Sequence, residues 1–315
     1  MGKKIINIVS ALLLVAGFAS CDREGRMIPE PQEVIAVSPG LQTRAVISGP
    51  EMPDGFHIWV SSWLNDDVYP GGGLNYFTGV EFAKDGTEWR SDPARYWPLS
   101  GTLDFLGIAA DPAELTLGFN WDSAKNVSWV EVDVPDTYDS QSEVFYAASY
   151  PLEGFHGSVP MEYHRSQAVL RFMIRTDVLD LIKVDDITIK DLYTAGTLTV
   201  EGDGPLKASW DFSSATASDR AVPKPSATYV FEPGGSFEEF GLGILVPEQK
   251  NKTFTITFRQ RANTGIAWDS DLVLEETFTF DDNFRMWFMG KQYVYKIDIS
   301  LSTITVEPVI EDGFI

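Results

Sequence analysis

The sequence predicts an all-β protein built as two antiparallel β-sandwich domains in tandem. Three observations predict it. Apolar residues alternate with polar ones over short segments, as in strands buried on one face. The 26 Gly and 18 Pro fall between those segments, where turns need φ > 0 or a fixed φ. A helical period is confined to two short windows, Ser140 to Tyr150 and Thr176 to Lys183, and a chain of 315 residues is long enough for two sandwiches.

The chain opens on Lys3-Lys4 and an apolar run from Ile5 to Ala19, and Cys21, the only cysteine, follows Ser20. A run of ~15 residues falls short of the ~20 that a helix needs to cross the hydrocarbon core. Small or apolar residues just before a cysteine are what a lipoprotein signal peptidase reads before the thiol is acylated. Residues 1–20 are therefore predicted to be a lipoprotein signal peptide and Cys21 its lipidation site, with an ordinary secretory signal as the alternative. Residues 21–32, polar and punctuated by Pro29 and Pro31, read as a tether.

A first domain is expected over residues 33–155. Its clearest strands carry Phe56, Ile58 and Val60 against His57 and Trp59, and then Val130, Val132 and Val134. Pro70 to Gly73 and Asp85-Gly86 read as turns. A Gly/Pro/His-rich stretch from Gly154 to Pro160 marks the boundary. The second domain, residues 156–315, alternates more plainly: Ala168, Leu170, Phe172 and Ile174 against Arg171 and Arg175; Phe254, Ile256 and Phe258 against Thr255 and Thr257; Tyr293, Tyr295, Ile297, Ile299 and Leu301 against Lys296, Asp298 and Ser300. Turns are expected at Glu201 to Gly204 and Pro233 to Gly235.

The 46 acidic against 24 basic residues give a formal charge of -22, and losing Lys3 and Lys4 with residues 1–20 makes it -24. That excess argues against nucleic acid, whose phosphates demand Lys and Arg, and suits a soluble surface domain. With one cysteine no internal disulfide is available, so stability must come from burial.

Catalytic chemistry finds little support. His57, His156 and His164 are too few and scattered for an imidazole metal site. Asp185-Asp186, Glu238-Glu239, Glu275-Glu276 and Asp281-Asp282 could supply an acid and a base, but neighbours on a strand point to opposite faces. Gly71 to Gly73 lacks the lysine of a phosphate loop, Lys84-Asp85-Gly86 has no calcium-loop acids upstream, and Gly107-Ile108-Ala109 carries no nucleophilic serine. The expectation is a non-enzyme without cofactor or metal. Among the nine tryptophans, Trp97 and Trp210 suit core plugs, while Trp59, Trp63 and Trp89 could be core or exposed sugar platforms.

Four stretches resemble a known family, the fimbrillins of Bacteroidales-type (type V) pili within the broad fimbrillin-like lipoproteins. They are Thr43-Arg44-Ala45; Arg95-Tyr96-Trp97-Pro98 with Gly101, Leu103-Asp104-Phe105 and Ala109; Tyr163-His164 with Ala168, Leu170 and Phe172; and Gly290-Lys291, Tyr293 to Tyr295, Ile304, Val306 and Pro308. Val309 stands where the family commonly has tryptophan.

The resemblance implies transthyretin-like, Greek-key sandwiches and a pilus subunit, shaft or accessory, at the outer membrane and in the fimbrium. It implies a lipidated precursor that an arginine-specific protease trims, so that subunits polymerise by donor-strand exchange and support adhesion. The removable piece would be Cys21 to Arg44, with Val34 to Val37 as covering strand and Arg44-Ala45 as scissile bond; Arg23 and Arg26 are rival sites. Ser38-Pro39-Gly40 is expected to turn before the cut. The C-terminal run through Ile304, Val306, Val309, Ile310, Phe314 and Ile315 reads either as a donor strand or as the last edge strand. Implied partners are other pilin subunits, the protease, and the outer membrane through lipid on Cys21; the alternative function is a glycan-binding surface lipoprotein using exposed tryptophans.

Overall fold

The computed structural model describes residues 33–41, 52, 55–65, 74–86, 88–111, 121–122, 127–133, 141, 143–153, 157–177, 181–201, 206–224, 229–250, 253–261, 268–279, 286–300 and 303–312. Every regular element among them is a strand, in keeping with the all-β expectation. The strands are β1 (Ala36–Leu41), β2 (His57–Asn65), β3 (Leu74–Asp85), β4 (Glu88–Ser91), β5 (Thr102–Ala110), β6 (Trp121–Asp122), β7 (Val127–Asp133), β8 (Val144–Glu153), β9 (Ser158–Arg165), β10 (Gln167–Thr176) and β11 (Ile182–Leu192). They continue as β12 (Ala195–Glu201), β13 (Lys207–Asp211), β14 (Ser218–Ala221), β15 (Tyr229–Phe231), β16 (Glu238–Pro247), β17 (Gln249–Lys250), β18 (Thr253–Arg261), β19 (Trp268–Thr279), β20 (Met286–Trp287), β21 (Lys291–Ile299) and β22 (Ile304–Asp312).

The first half closes on itself as a barrel, in the order β1-β4-β3-β2-β5-β8-β9. Its pairings are antiparallel except for β1 against β9, which is parallel. Closure removes the free edges that two open layers would leave. Ile58, Val60, Phe82, Phe105, Phe145, Val159 and Tyr163 fill the interior. One glycine makes that filling possible. A Cβ on Gly107 would lie 2.4 Å from the Tyr163 hydroxyl and 2.7 Å from Met161 Cε, so only glycine lets these β9 side chains cross to β5. At the β3–β4 hairpin, Gly86 takes φ +66°, as the expected Asp85-Gly86 turn requires.

The outer face of the barrel is covered too. Trp63, Leu106, Ile108, Ala110 and Val144 form a second core with Leu198 and Val200. This is why β5 is buried at every position from Leu103 to Ala110 and does not alternate. The cover is the β12–β13 hairpin, which extends a sheet in the order β13-β12-β7-β6. Strands from both sides of residues 154–160 thus share one sheet and one core. Trp210 donates its indole N–H to the Ser166 carbonyl at 2.7 Å, and the Val144 amide donates to Gln167 Oε1 at 2.9 Å.

The second half contributes a four-stranded sheet, β16-β10-β21-β22, and a sheet in the order β14-β11-β18-β19 with β15 also on β11. Their residues meet in one large cluster. The period of two holds here: Ala168, Leu170, Phe172 and Ile174 are buried, while Arg171 turns outward to pair with Glu239 at 2.6 Å. Rings of Phe172, Phe254 and Tyr295 meet at 5.3 to 5.7 Å, where each aromatic pair adds about 0.5–1.5 kcal/mol beyond area burial. The β10–β21 pairing is parallel, so this sheet is mixed and not purely antiparallel.

Neither helical window is a helix. Val144–Glu153 is strand β8, because Val144, Phe145 and Ala147 are buried between β5 and β9 and long-range pairing overrides local propensity. Thr176 ends β10 and Ile182 opens β11, with residues 178–180 of that window outside the described set.

His164 is half-buried against the Tyr146 ring, centroids 5.7 Å apart. Burial lowers its pKa, and Glu162 opposes this only in part. A His held below its unfolded value of about 6.5 binds its proton less readily when folded, so its stabilising effect is complete above that pH and declines as pH falls through the window below it. Urea titrations between pH 7.5 and 5 are expected to show falling stability, and His164→Gln to flatten the slope.

Candidate assembly strands at the barrel seam and the C-terminal edge

β1 is the seam of the barrel. On one side Ala36 and Val37 pair with Arg90 and Trp89 of β4; on the other, Ala36 to Leu41 pair in parallel with Ser158 to Tyr163 of β9. Among the described strands it is the one link between β4 and β9. Ile35 and Val37 are 0% exposed and lie in the interior with Trp89, Trp97, Val159 and Met161. A side-chain hydrogen bond spans the seam, with Ser158 Oγ of β9 donating to Glu88 Oε1 of β4. That bond and the Arg90 guanidinium hold the Glu88 carboxyl below its ordinary pKa.

The segment preceding β1 docks on Arg95 to Trp97. The Ile35 amide donates to the Arg95 carbonyl at 2.7 Å, Val34 bridges Tyr96, and Tyr76 donates its hydroxyl to the Tyr96 carbonyl at 2.7 Å. Trp97 is buried edge-on to Phe105, 5.7 Å between centroids. The Tyr-Trp-Pro stretch is therefore the cradle of the seam strand. Opposite it, Tyr163 is wholly buried, which pushes its phenol pKa far up, and its hydroxyl faces Met161 Sδ at 3.9 Å.

The turn expected at Ser38-Pro39-Gly40 is absent: all three residues belong to β1 and pair with Pro160, Met161 and Glu162. β4 partners only Ala36 and Val37, so beyond them β1 has a neighbour on one side, where the missing N–H of Pro39 is tolerated. Cys21, Arg23, Arg26, Arg44 and Ala45 lie outside the described residues.

All four residues considered for a donor strand lie on β22, the last strand of its sheet, which pairs antiparallel with β21 from Ile304↔Ile299 to Asp312↔Lys291. Ile304 and Val306 are half-buried against the second-half core, Val309 is half-buried opposite Val294, and Ile310 is 43% exposed. Phe314 and Ile315 fall outside the described set.

Among the described residues the structure does not bring the remaining candidates together as chemistry; His156, Asp281 and Asp282 lie outside them. Asp185 pairs with Lys183 at 2.8 Å and Arg259 at 2.6 Å, and Glu239 with Arg171. Among the described residues no group of three His, Cys, Asp or Glu is placed to hold a metal ion. Trp63, Trp89, Trp97 and Trp287 are core residues, and Trp59 and Trp210 are half-buried. Sequence reasoning missed the parallel β1–β9 seam and the outer core. The apolar run from Leu103 to Ala110, interrupted only by Asp104 and Gly107, was the available signal for a strand buried on both faces.

This all-β architecture is shared with bacterial fimbrial and adhesion proteins. The chain is similar to a fimbrial protein from Bacteroides vulgatus, with TM-score 0.64 at 13% identity over 88% of this chain and 99% of the other. It is similar also to a cell adhesion protein from Bacteroides ovatus, with TM-score 0.52 at 14% identity over 91% and 99%. No curated protein sequence matches it. The sequence profile described as fimbrillin-like matches residues 43–312, and the chain belongs to that family. Membership makes it a fimbrial protein of the cell surface.

Proposed function

We propose that this protein is a pilus subunit, shaft or accessory, whose seam strand is a temporary plug. The carrying observation is that, among the described strands, β1 alone pairs with both β4 and β9, while Ile35 just before it and Val37 within it, both 0% exposed, lie in the barrel core. The precursor is exported as a lipoprotein and held at the outer membrane by lipid on Cys21. An arginine-specific protease cuts between Arg44 and Ala45 and releases the segment that carries β1. β4 and β9 then present two open edges with an apolar slot between them, and a strand from a neighbouring subunit fills it. Reburying side chains equivalent to Ile35 and Val37 contributes ~3–6 kcal/mol gross at ~1.5–3 kcal/mol each.

The donor we favour is β22, an edge strand nine residues long with Ile304, Val306, Val309 and Ile310 along it. In this reading the two tandem domains, expected over residues 33–155 and 156–315, divide after β9, the first being the barrel sealed by β1 and the second carrying the strand that is passed on. Cleavage at Arg23 or Arg26 would free the lipid but leave the seam closed. Limited trypsin-like digestion of the precursor is expected to give a new N-terminus at Ala45 by mass spectrometry and a ladder of SDS-resistant oligomers. Arg44→Ala should abolish both. Cleaved protein that stays monomeric would refute the exchange.

A further inference from the structure

The two sheets of the second half face each other across a core with two unlike flanks. One is closed: Tyr229 beside β11 packs on Phe240 of β16 with ring centroids 4.9 Å apart. The other lies between β19 and β22, the opposite ends of the two sheets, and neither strand has a second partner among the described residues. Phe254 of β18 meets both Phe172 of β10 and Tyr295 of β21, and Phe278 of β19 stacks on Phe254, so the two sheets face each other in the same order and their β19 and β22 edges end on the same flank.

The register shows which side chains line it. On β19, Leu274, Glu276 and Phe278 stand opposite Phe258, Ile256 and Phe254, so all three point toward the core side of the sheet. Their β18 partners are buried, yet Leu274 is 42% exposed, Glu276 is exposed and Phe278 is half-buried. On β22, Ile304, Val306 and Ile310 stand opposite Ile299, Ile297 and Tyr293, again core-facing positions with incomplete cover. The flank is thus a slot with unpaired main chain on both walls, apolar residues along it, and one carboxylate pointing inward between Leu274 and Phe278.

An inward charge on an edge strand blocks indiscriminate pairing, because any strand that enters must bury it. Its cost vanishes only for a partner that brings the opposite charge. Glu276 makes no ion pair among the described residues. We propose that in the uncleaved protein, before β22 is passed on, the β19–β22 flank is a second strand-receiving slot, distinct from the seam, whose occupant is an extended partner segment with an inward lysine or arginine between apolar residues. The strand's main chain pairs with an open edge, its apolar side chains complete the core beside Leu274, Phe278, Ile304 and Val306, and its cation meets Glu276. The core-facing positions of the chain's own β22, Ile304, Val306, Pro308 and Ile310, include no cation, so the complementary partner is a cationic segment of another protein.

The test uses full-length Arg44→Ala protein, whose seam stays sealed, so its outcome is separate from that of donor-strand exchange. Two fluorescein-labelled peptides of alternating Thr and Val, one with a central Lys and its twin with Glu, are titrated by anisotropy. The Lys peptide is expected to bind about tenfold tighter, and the preference to shrink as salt is raised. Glu276→Lys should reverse the preference and Leu274→Asp should remove binding of both peptides. Both substitutions are at exposed positions, so near-UV circular dichroism should match the parent. Equal affinities, a preference unchanged by Glu276→Lys, or no binding of either peptide would overturn the proposal.

Discussion

Aspartate at both Ile35 and Val37 is expected to unseal the barrel and lower the melting temperature by ~10 °C or more. Both positions are 0% exposed and lie among Trp89, Trp97, Val159 and Met161. A carboxylate there loses its water, at a cost of several kcal/mol, here about 4 kcal/mol or more for the pair. For a chain of this size about 1 kcal/mol moves the midpoint by ~2–4 °C. Ser38→Asp supplies the contrast: that side chain is exposed on the same strand, so it should change stability by no more than about 0.5 kcal/mol. If the double variant melted with the wild type, β1 would not be the seal.

The second large effect is expected at the outer core. Trp63 is 1% exposed and belongs to the cluster that joins the barrel wall to Leu198 and Val200 of the β12–β13 hairpin. Trp63→Ala removes a whole indole from a dry contact and should cost about 3–5 kcal/mol; Leu198→Ala, on the covering side, should cost about 2–5 kcal/mol. Because the two residues share one cluster, the double variant should lose less than the sum. Denaturant titrations followed at separate probes in the two halves would report both the size of the loss and whether the halves begin to unfold apart. Additive losses would mean that hairpin and barrel do not share a core.

Much of the second half was legible because its strands obey a local rule. Phe172, Phe254, Ile256 and Tyr295 are buried and Arg171 and Lys296 are not, as alternation alone predicts, since each sheet has one core face and one wet face. The rule fails where both faces are covered, as on β5, whose outer wall is supplied by a hairpin some ninety residues further on. It fails also at Ser38-Pro39-Gly40, three turn-forming residues held extended by a partner that no local window contains. The apolar run from Val34 to Val37 was readable as a strand. That its partners are Trp89 and Val159 was not, because register between distant strands leaves no local trace. In the sequence Glu276 is one of a doublet whose members point to opposite faces of a strand, and only its register opposite Ile256 shows that it is the one that points inward.

The seam also dictates when the fold can be finished. Ala36 meets Ser158, 122 positions later in the chain, so the ring cannot shut until just over half of the protein has been made. At ~5–20 residues per second, that leaves Ile35 and Val37 waiting on the order of ten seconds for the strand that shelters them. Long loops are also slow to shut once both ends exist. A nascent copy therefore spends its youth as an unclosed ribbon with greasy borders, and whatever escorts it must hold on until Arg165 has emerged.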